Sequence, residues 1–231
     1  MRVARTGLLV GVFTGLAVLT PACATTGSAK ANLVIQYQPV KPGPSINLSV
    51  ACKGSAAASG THPNRKAICA VLFKKGVKIF TPTPPNTACS MIYGGPETAR
   101  VTGTVRSTKV KATFSRTDGC QIDRWLNALP LFTFPGHAIT TGAIEISPTC
   151  PGPQQVGQVC SDPSVEGTVR FTGESKTVTA TAVAGIGFIA LLPTGSWTVT
   201  ASSPRAMSCA STNINVPVTE PLTISCDTGI R

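Results

Sequence analysis

Apolar and polar residues alternate in short runs along most of this chain, and proline or glycine breaks the runs at close intervals. Such period-two alternation marks strands with one buried face. In the first half, Leu33-Val34-Ile35 and Ile46-Asn47-Leu48-Ser49-Val50 read as strands separated by the turn residues Lys41-Pro42-Gly43-Pro44. Residues 100–105 and 109–114 also alternate, and Arg106-Ser107-Thr108 joins them in a hairpin pattern. Between these pairs, Ala67-Ile68-Cys69-Ala70-Val71-Leu72-Phe73 is continuously apolar and is followed by lysines and Gly76, compatible with a short helix stopped by glycine. Thr81-Pro82-Thr83-Pro84-Pro85-Asn86 can form neither a helix nor a central strand and must connect. It leads to Cys89-Ser90-Met91-Ile92-Tyr93-Gly94-Gly95-Pro96, which glycine and proline keep extended and near the surface. In the second half, runs at 142–146, 166–171, 177–181, 187–191, 196–200, 213–216 and 222–225 predict short strands at the spacing of a β-sandwich.

The composition agrees with a β-rich class, since tryptophan and tyrosine are scarce beside threonine, valine, glycine and proline. The length of 231 residues, less a leader, suits two domains of about 100 residues each. Pro130 and Pro135-Gly136 mark the boundary, giving 1–31 as leader and tether, 32–135 as a first domain and 136–231 as a second. The net charge of +11 is concentrated in the first half, where 14 basic residues from Lys30 to Arg124 face only Glu97, Asp118 and Asp123. Arg106, Lys109 and Lys111 alternate with Val105, Val110 and Ala112, the pattern of a solvated strand face. No recognition motif accompanies the charge, so nucleic acid is not an expected partner.

Nine cysteines are present, and no two form a C-x-x-C pair, which removes the main support for a zinc or redox site. Cys23 falls in the leader, and the other eight can pair completely, as expected in an oxidising compartment. Pairing neighbours in order is simplest for Cys150 with Cys160 and Cys209 with Cys226, although the sequence allows other pairings. Arg2 and Arg5 precede an apolar run over 8–19 of signal-peptide size, so export is expected. Ala22-Cys23-Ala24 suits signal-peptidase cleavage and free secretion. The alternative is Leu19-Thr20-Pro21-Ala22-Cys23 as a lipobox, with Cys23 lipidated and the protein anchored at the outer face of the cell membrane.

Residues 48–132 resemble the subtilisin-inhibitor-like family of secreted bacterial serine protease inhibitors. The shared residues are Leu48-Ser49-Val50-Ala51-Cys52, Ser59-Gly60-Thr61-His62-Pro63, Ala67-Ile68-Cys69-Ala70-Val71-Leu72, Cys89-Ser90-Met91-Ile92-Tyr93 with Pro96 beyond, and paired strands ending near Phe114-Ser115 and Cys120, with Phe132 as a terminal aromatic. The resemblance implies an α+β domain, a five-stranded antiparallel sheet with two short helices, bridged by Cys52–Cys69 and Cys89–Cys120. It further implies a reactive bond between Met91 and Ile92, with Met91 entering the protease's primary pocket. Cys89, Ser90, Tyr93 and Gly94 would contact the enzyme, and homodimers are common in the family. Two departures stand out. Gly94-Gly95-Pro96 replaces the family's Asp-Pro, and Ser115-Arg116-Thr117-Asp118-Gly119 lacks the asparagine that braces the reactive loop.

Leu191-Leu192-Pro193-Thr194-Gly195-Ser196-Trp197-Thr198-Val199 resembles the signature of carboxypeptidase-regulatory-like, transthyretin-related domains, implying an all-β sandwich; Trp197 reads as a core residue and not as a ligand platform. The two histidines, His62 and His137, carry no nucleophile or metal pattern, and neither a nucleophile elbow nor a phosphate loop occurs. The expectation is a non-enzyme without cofactor or metal: an exported inhibitor of subtilisin- or chymotrypsin-like proteases. The alternative is an envelope structural or adhesion protein that reuses the scaffold.

Overall fold

The structure is a computed structural model that describes residues 30–153 and 156–231. The leader and Cys23 lie outside the described residues. The first half runs β1 (Lys30–Gln38), β2 (Ile46–Lys53), β3 (Ala58–Ser59), α1 (Arg65–Lys75), a 3-10 turn (Gly76–Phe80), β4 (Gly95–Val105), β5 (Thr108–Arg116), α2 (Gly119–Asn127) and a second 3-10 turn (Leu129–Phe132). Its strands form one five-stranded sheet in the order β3-β2-β1-β4-β5, antiparallel throughout. The second half runs β6 (His137–Ser147), β7 (Gly167–Thr172), β8 (Thr177–Ala182), β9 (Phe188–Pro193), β10 (Gly195–Ser202), β11 (Ser208–Cys209), β12 (Thr212–Val216) and β13 (Leu222–Asp227). These make two four-stranded sheets, β12-β10-β7-β8 and β11-β13-β6-β9. The chain is therefore β-rich, with several sheets and few helices.

β1 shows why the first sheet has only one covered face. Ala31, Leu33, Ile35 and Tyr37 are buried while Asn32, Val34 and Gln36 between them are exposed, the period-two pattern of a half-buried strand. The buried row packs with Ile68 and Leu72 of α1 and Trp125 of α2 in one core. The α1 helix ends as its sequence suggests, with Lys74 and Lys75 in the last turn and Gly76 at φ 59°, whose N–H bonds to the Leu72 carbonyl. The hairpin is tighter than the sequence reading: only Arg106 and Ser107 lie between the strands, both at positive φ, a turn whose twist matches the strands it joins. In mid-strand, Gly103 at φ +139° lets β4 approach β1, because a Cβ there would sit 2.0 Å from the Asn32 carbonyl oxygen.

The Ser59-Gly60-Thr61-His62 motif is a structural stitch. At Gly60 a Cβ would lie 2.2 Å from the Ser49 oxygen, so glycine is needed for the chain to turn there. Thr61 then exchanges two hydrogen bonds with Ser49: its Oγ1 accepts from the Ser49 amide at 2.9 Å and its own amide donates to Ser49 Oγ at 3.1 Å. His62 is wholly buried. Its Nδ1 accepts from the Asn64 amide at 3.0 Å, so Nε2 carries the proton and donates to the Leu131 carbonyl at 3.1 Å. The histidine is thus a packing residue, and its ring ties the loop before α1 to the 3-10 turn after α2.

The second core lies between the two four-stranded sheets. Val169, Phe171, Trp197 and Val199 come from one, and Ile144, Phe188, Leu192 and Ile224 from the other. The chain crosses between sheets at Pro193-Thr194-Gly195, where Gly195 takes φ +130° and the Trp197 indole N–H bonds back to the Pro193 carbonyl at 2.9 Å. Trp197 is thus a core residue of a sheet-to-sheet corner. β13 pairs with β6 in parallel, which the strand spacing alone did not reveal. Ile139 and Leu191 of this half pack against the first core.

Burial pushes His62 down to about 4 from the ordinary 6.5, with the Leu131 hydrogen bond opposing. The unfolded chain takes up a proton near 6.5 and the folded one only near 4, so stability present above that window falls as pH is lowered through it. A loss on the order of 3 kcal/mol is expected. Urea unfolding midpoints measured across these pH values should fall steeply in the parent chain and much less in His62→Gln.

Candidate reactive loop

Residues 81–94 carry no strand or helix and bring the chain from the first 3-10 turn to the start of β4. The prolines exclude regular structure, and Thr87 closes a local turn by donating its hydroxyl to the Pro84 carbonyl at 2.8 Å. From Cys89 the chain is held on both sides of three outward side chains. Met91 is 94% exposed, Ile92 62% and Tyr93 65%. Among the described residues none of these three side chains has a hydrogen bond or ring contact. An exposed apolar triplet is costly to leave in water, about 25 cal/mol per Å² of apolar surface.

Three restraints flank the triplet. Cys89 is disulfide-bonded to Cys120, the second residue of α2. Next to it, the Gly119 amide donates to the Ser90 carbonyl at 2.9 Å. On the other side, the Gly94 amide donates to the Arg116 carbonyl at 2.8 Å, at the end of β5. The first amide bond has a simple origin. A helix leaves its first N–H groups without internal partners; Asp118 takes the Gln121 amide at 2.9 Å as N-cap, and the Gly119 amide is free to reach across to Ser90. Gly94 packs against Ile122 of α2, where a Cβ would lie 2.9 Å from Ile122 Cδ1.

Beyond Tyr93, Arg116 Nη1 pairs with Glu97 Oε1 at 2.9 Å, both side chains partly buried. Tyr37 lies beneath this pair; burial, reinforced by Glu97 and opposed by Arg116, pushes its phenol up to about 12. The bracing therefore comes from main-chain groups of 116 and 119 and not from an asparagine side chain. Sequence reading missed both the Arg116 carbonyl and the Gly119 amide. An Asp-Gly pair just ahead of a helix is an N-cap signal, but an amide aimed at a distant loop leaves no mark in the residue pattern.

The sulfur atoms of Cys89 and Cys120 and a carboxylate oxygen of Asp118 lie within 4.8 Å of one another. Bridged sulfurs offer no thiolate and Asp118 is engaged as a cap, so the trio is not a metal-ligand set. Neither histidine comes near the loop network: His62 serves the core, and His137 Nδ1 lies 3.0 Å from the Pro135 carbonyl. The remaining bridges are Cys52–Cys69, Cys150–Cys160 and Cys209–Cys226, a density suited to an oxidising compartment. Among the described residues no helix is long and apolar enough to cross a membrane.

No protein-family description matches this chain. No curated protein matches it either. Among solved structures, it is similar to Streptomyces caespitosus sermetstatin, crystallised in complex with Bacillus licheniformis subtilisin. The likeness has 21% identity and a TM-score of 0.31, and covers 46% of this chain and 99% of that one.

Replacing both Cys89 and Cys120 by serine should cost about 2 to 4 kcal/mol, since the bridge closes a loop of 31 residues. Urea unfolding measures the loss. Mass spectrometry after limited proteolysis should show the first cut moving into residues 89–94.

Proposed function

We propose that this chain is an exported, substrate-like inhibitor of serine proteases of the subtilisin or chymotrypsin type. Met91-Ile92 is the bond it offers. The observation that supports this reading is Met91, almost wholly exposed, between a disulfide on one side and a main-chain clamp on each. Met91 enters the primary pocket, Ile92 and Tyr93 follow the cut, and Ser90 and Cys89 precede it. Residues 32–135 form the inhibitory unit, and 136–231 form a second unit that carries or docks it.

The chemistry follows from the restraints. A serine protease attacks the Met91 carbonyl and needs the newly freed Ile92 amine to leave before water arrives. Here Gly94 is bonded to Arg116 and Ser90 to Gly119, so both new ends stay beside the acyl carbon. The amine then re-forms the peptide bond faster than hydrolysis removes it. Holding the loop before binding also spares an ordering cost of roughly 0.5 to 1.5 kcal/mol per side chain. Methionine is long, apolar and uncharged, which suits broad hydrophobic pockets and not those that select lysine or arginine.

Titrating active subtilisin with the purified protein should remove activity stoichiometrically, and Met91→Pro should abolish this while leaving the fold intact by circular dichroism. Indifference of the enzyme to the parent protein would instead favour a non-inhibitory envelope protein on the same scaffold.

A narrower test addresses the clamp. Proline is well tolerated at the first position of a helix; in place of Gly119 it removes the amide hydrogen and sets its ring Cδ against the Ser90 carbonyl that the amide had held. In a Ser90→Ala background, which removes the hydroxyl that a new Cβ would meet at 2.1 Å, Gly119→Pro should weaken inhibition about fivefold to tenfold, the worth of one hydrogen bond. It should also raise the rate of cleavage at Met91-Ile92 while circular dichroism still reports a folded chain. Unaltered cleavage would remove the clamp from the mechanism.

A further inference from the structure

The charge concentrated in the first half is gathered at one place in the fold. The end of α1, the 3-10 turn after it, the β4–β5 turn and the end of α2 surround an open groove of about 590 Å³ lined by Lys74, Lys75, Lys78, Arg106 and Arg124 with Ile79, Thr81 and Asn127. No carboxylate lines it. The ion pairs among the described residues are Arg116–Glu97, Arg205–Asp162 and Arg231–Asp227, so none of the five cations is neutralised by an acid. Asp123, the acid on α2, is exposed and does not line the groove.

Three of the cations are already oriented by main-chain carbonyls. Lys75 Nζ donates to the Asn127 oxygen at 3.3 Å, Arg124 Nε to the Thr81 oxygen at 3.1 Å, and Arg106 Nη2 to the Phe73 oxygen. Arg124 also lies 5.0 Å over the Phe114 ring and Arg106 5.9 Å over Phe73. Arg124 Nη1 also donates to Gln121 Oε1 at 2.7 Å. These contacts fix the guanidinium planes and leave Nη2 of Arg124 and Nη1 of Arg106 for an anion. Clustered like charges repel one another, so five of them held round one concavity stabilise whatever anion neutralises them. Guanidinium forks beside ammonium groups are the donor set that phosphate oxygens accept best. No aromatic ring lines the groove, so the base stacking on which single-stranded nucleic acid binding relies has no platform there.

The groove also lies away from the exposed triplet. In the β4–β5 ladder, Val105 pairs with Thr108 at the far edge of the groove and Gly95 with Arg116 at the loop end, a span of roughly 25 Å at strand rise; Arg124, at the near edge, lies four residues along α2 from Cys120, about 6 Å of helix rise. An anion in the groove leaves Met91 free.

We propose that this basic groove is a binding site for a linear phosphate-bearing polyanion, which docks one pole of the protein while the loop at the other pole stays open to solvent. The site stands independently of what the loop does. Titration of the full mature chain with inorganic tripolyphosphate, followed by calorimetry and by the phosphorus NMR signal, should show saturable binding that weakens about tenfold or more from low to physiological salt. The triple variant Lys74→Gln, Lys75→Gln, Lys78→Gln should lose about tenfold or more in affinity. A control with equal charge removed from the open sheet face, Arg100→Gln, Lys109→Gln, Lys111→Gln, should lose less than about threefold. Equal losses in the two triples would reduce the effect to net charge and overturn the site. Absence of saturable binding, or much tighter binding of a single-stranded oligonucleotide with the same number of phosphates, would overturn it as well.

Discussion

The exposed segment depends on where α2 begins. Its N-cap, Asp118, accepts from the Gln121 amide; the amide of Gly119, the residue after the cap, reaches Ser90, and Cys120, one residue on, carries the disulfide to Cys89. One helix terminus thus supplies a cap, a clamp and a cross-link within three consecutive residues. Moving α2 by a single residue would turn its first amides away, since successive positions on a helix point about 100° apart. The far side is held from the same short connection, because Arg116 ends β5 two residues before that cap. Both ends of the triplet therefore rest on the stretch between β5 and α2, and the loop is as rigid as that junction.

The junction in turn relies on the core beneath it. Trp125 of α2 stacks on Phe132 at 4.0 Å, and Phe132 meets Phe114 of β5 edge to face at 5.0 Å. These rings lock the helix to the strand that precedes it. His62 closes the same region from the other side by bonding the Leu131 carbonyl. A buried imidazole is tolerated there because both of its nitrogens have partners. Its cost is restricted to acid conditions, where the charged form has no place in the core.

The fold separates its surfaces by chemistry. The apolar triplet stands where β5 meets α2, the uncompensated cations gather at the opposite end of the β4–β5 ladder, and the second pair of sheets joins the first core through Ile139 and Leu191. The two ends of one hairpin carry different chemistry because one is a tight turn, Arg106-Ser107, that projects charge, and the other is a splayed end where glycines let a loop approach. Arg106 and Lys109 belong to the same alternating pattern, yet the turn bends Arg106 into the groove while Lys109 remains on the open face.

Much of this was legible in the residues because it is local. Alternation placed most of the strands, lysines and glycine ended α1, prolines kept 81–86 irregular, and the glycine and proline after Tyr93 kept Met91 and Ile92 at the surface. The Ser-Gly-Thr-His motif stood out in the sequence, although its purpose there was not visible. What the tertiary structure decided is long-range pairing: β13 beside β6 in parallel, the crossing between sheets at Pro193-Thr194-Gly195, the groove assembled from three separated segments, and above all the amides of Gly94 and Gly119 finding the carbonyls of Arg116 and Ser90. Side-chain patterns record which residues prefer burial. Every residue but proline carries the same amide, so nothing in the order of residues tells which one, once the chain is folded, will hold a loop in place.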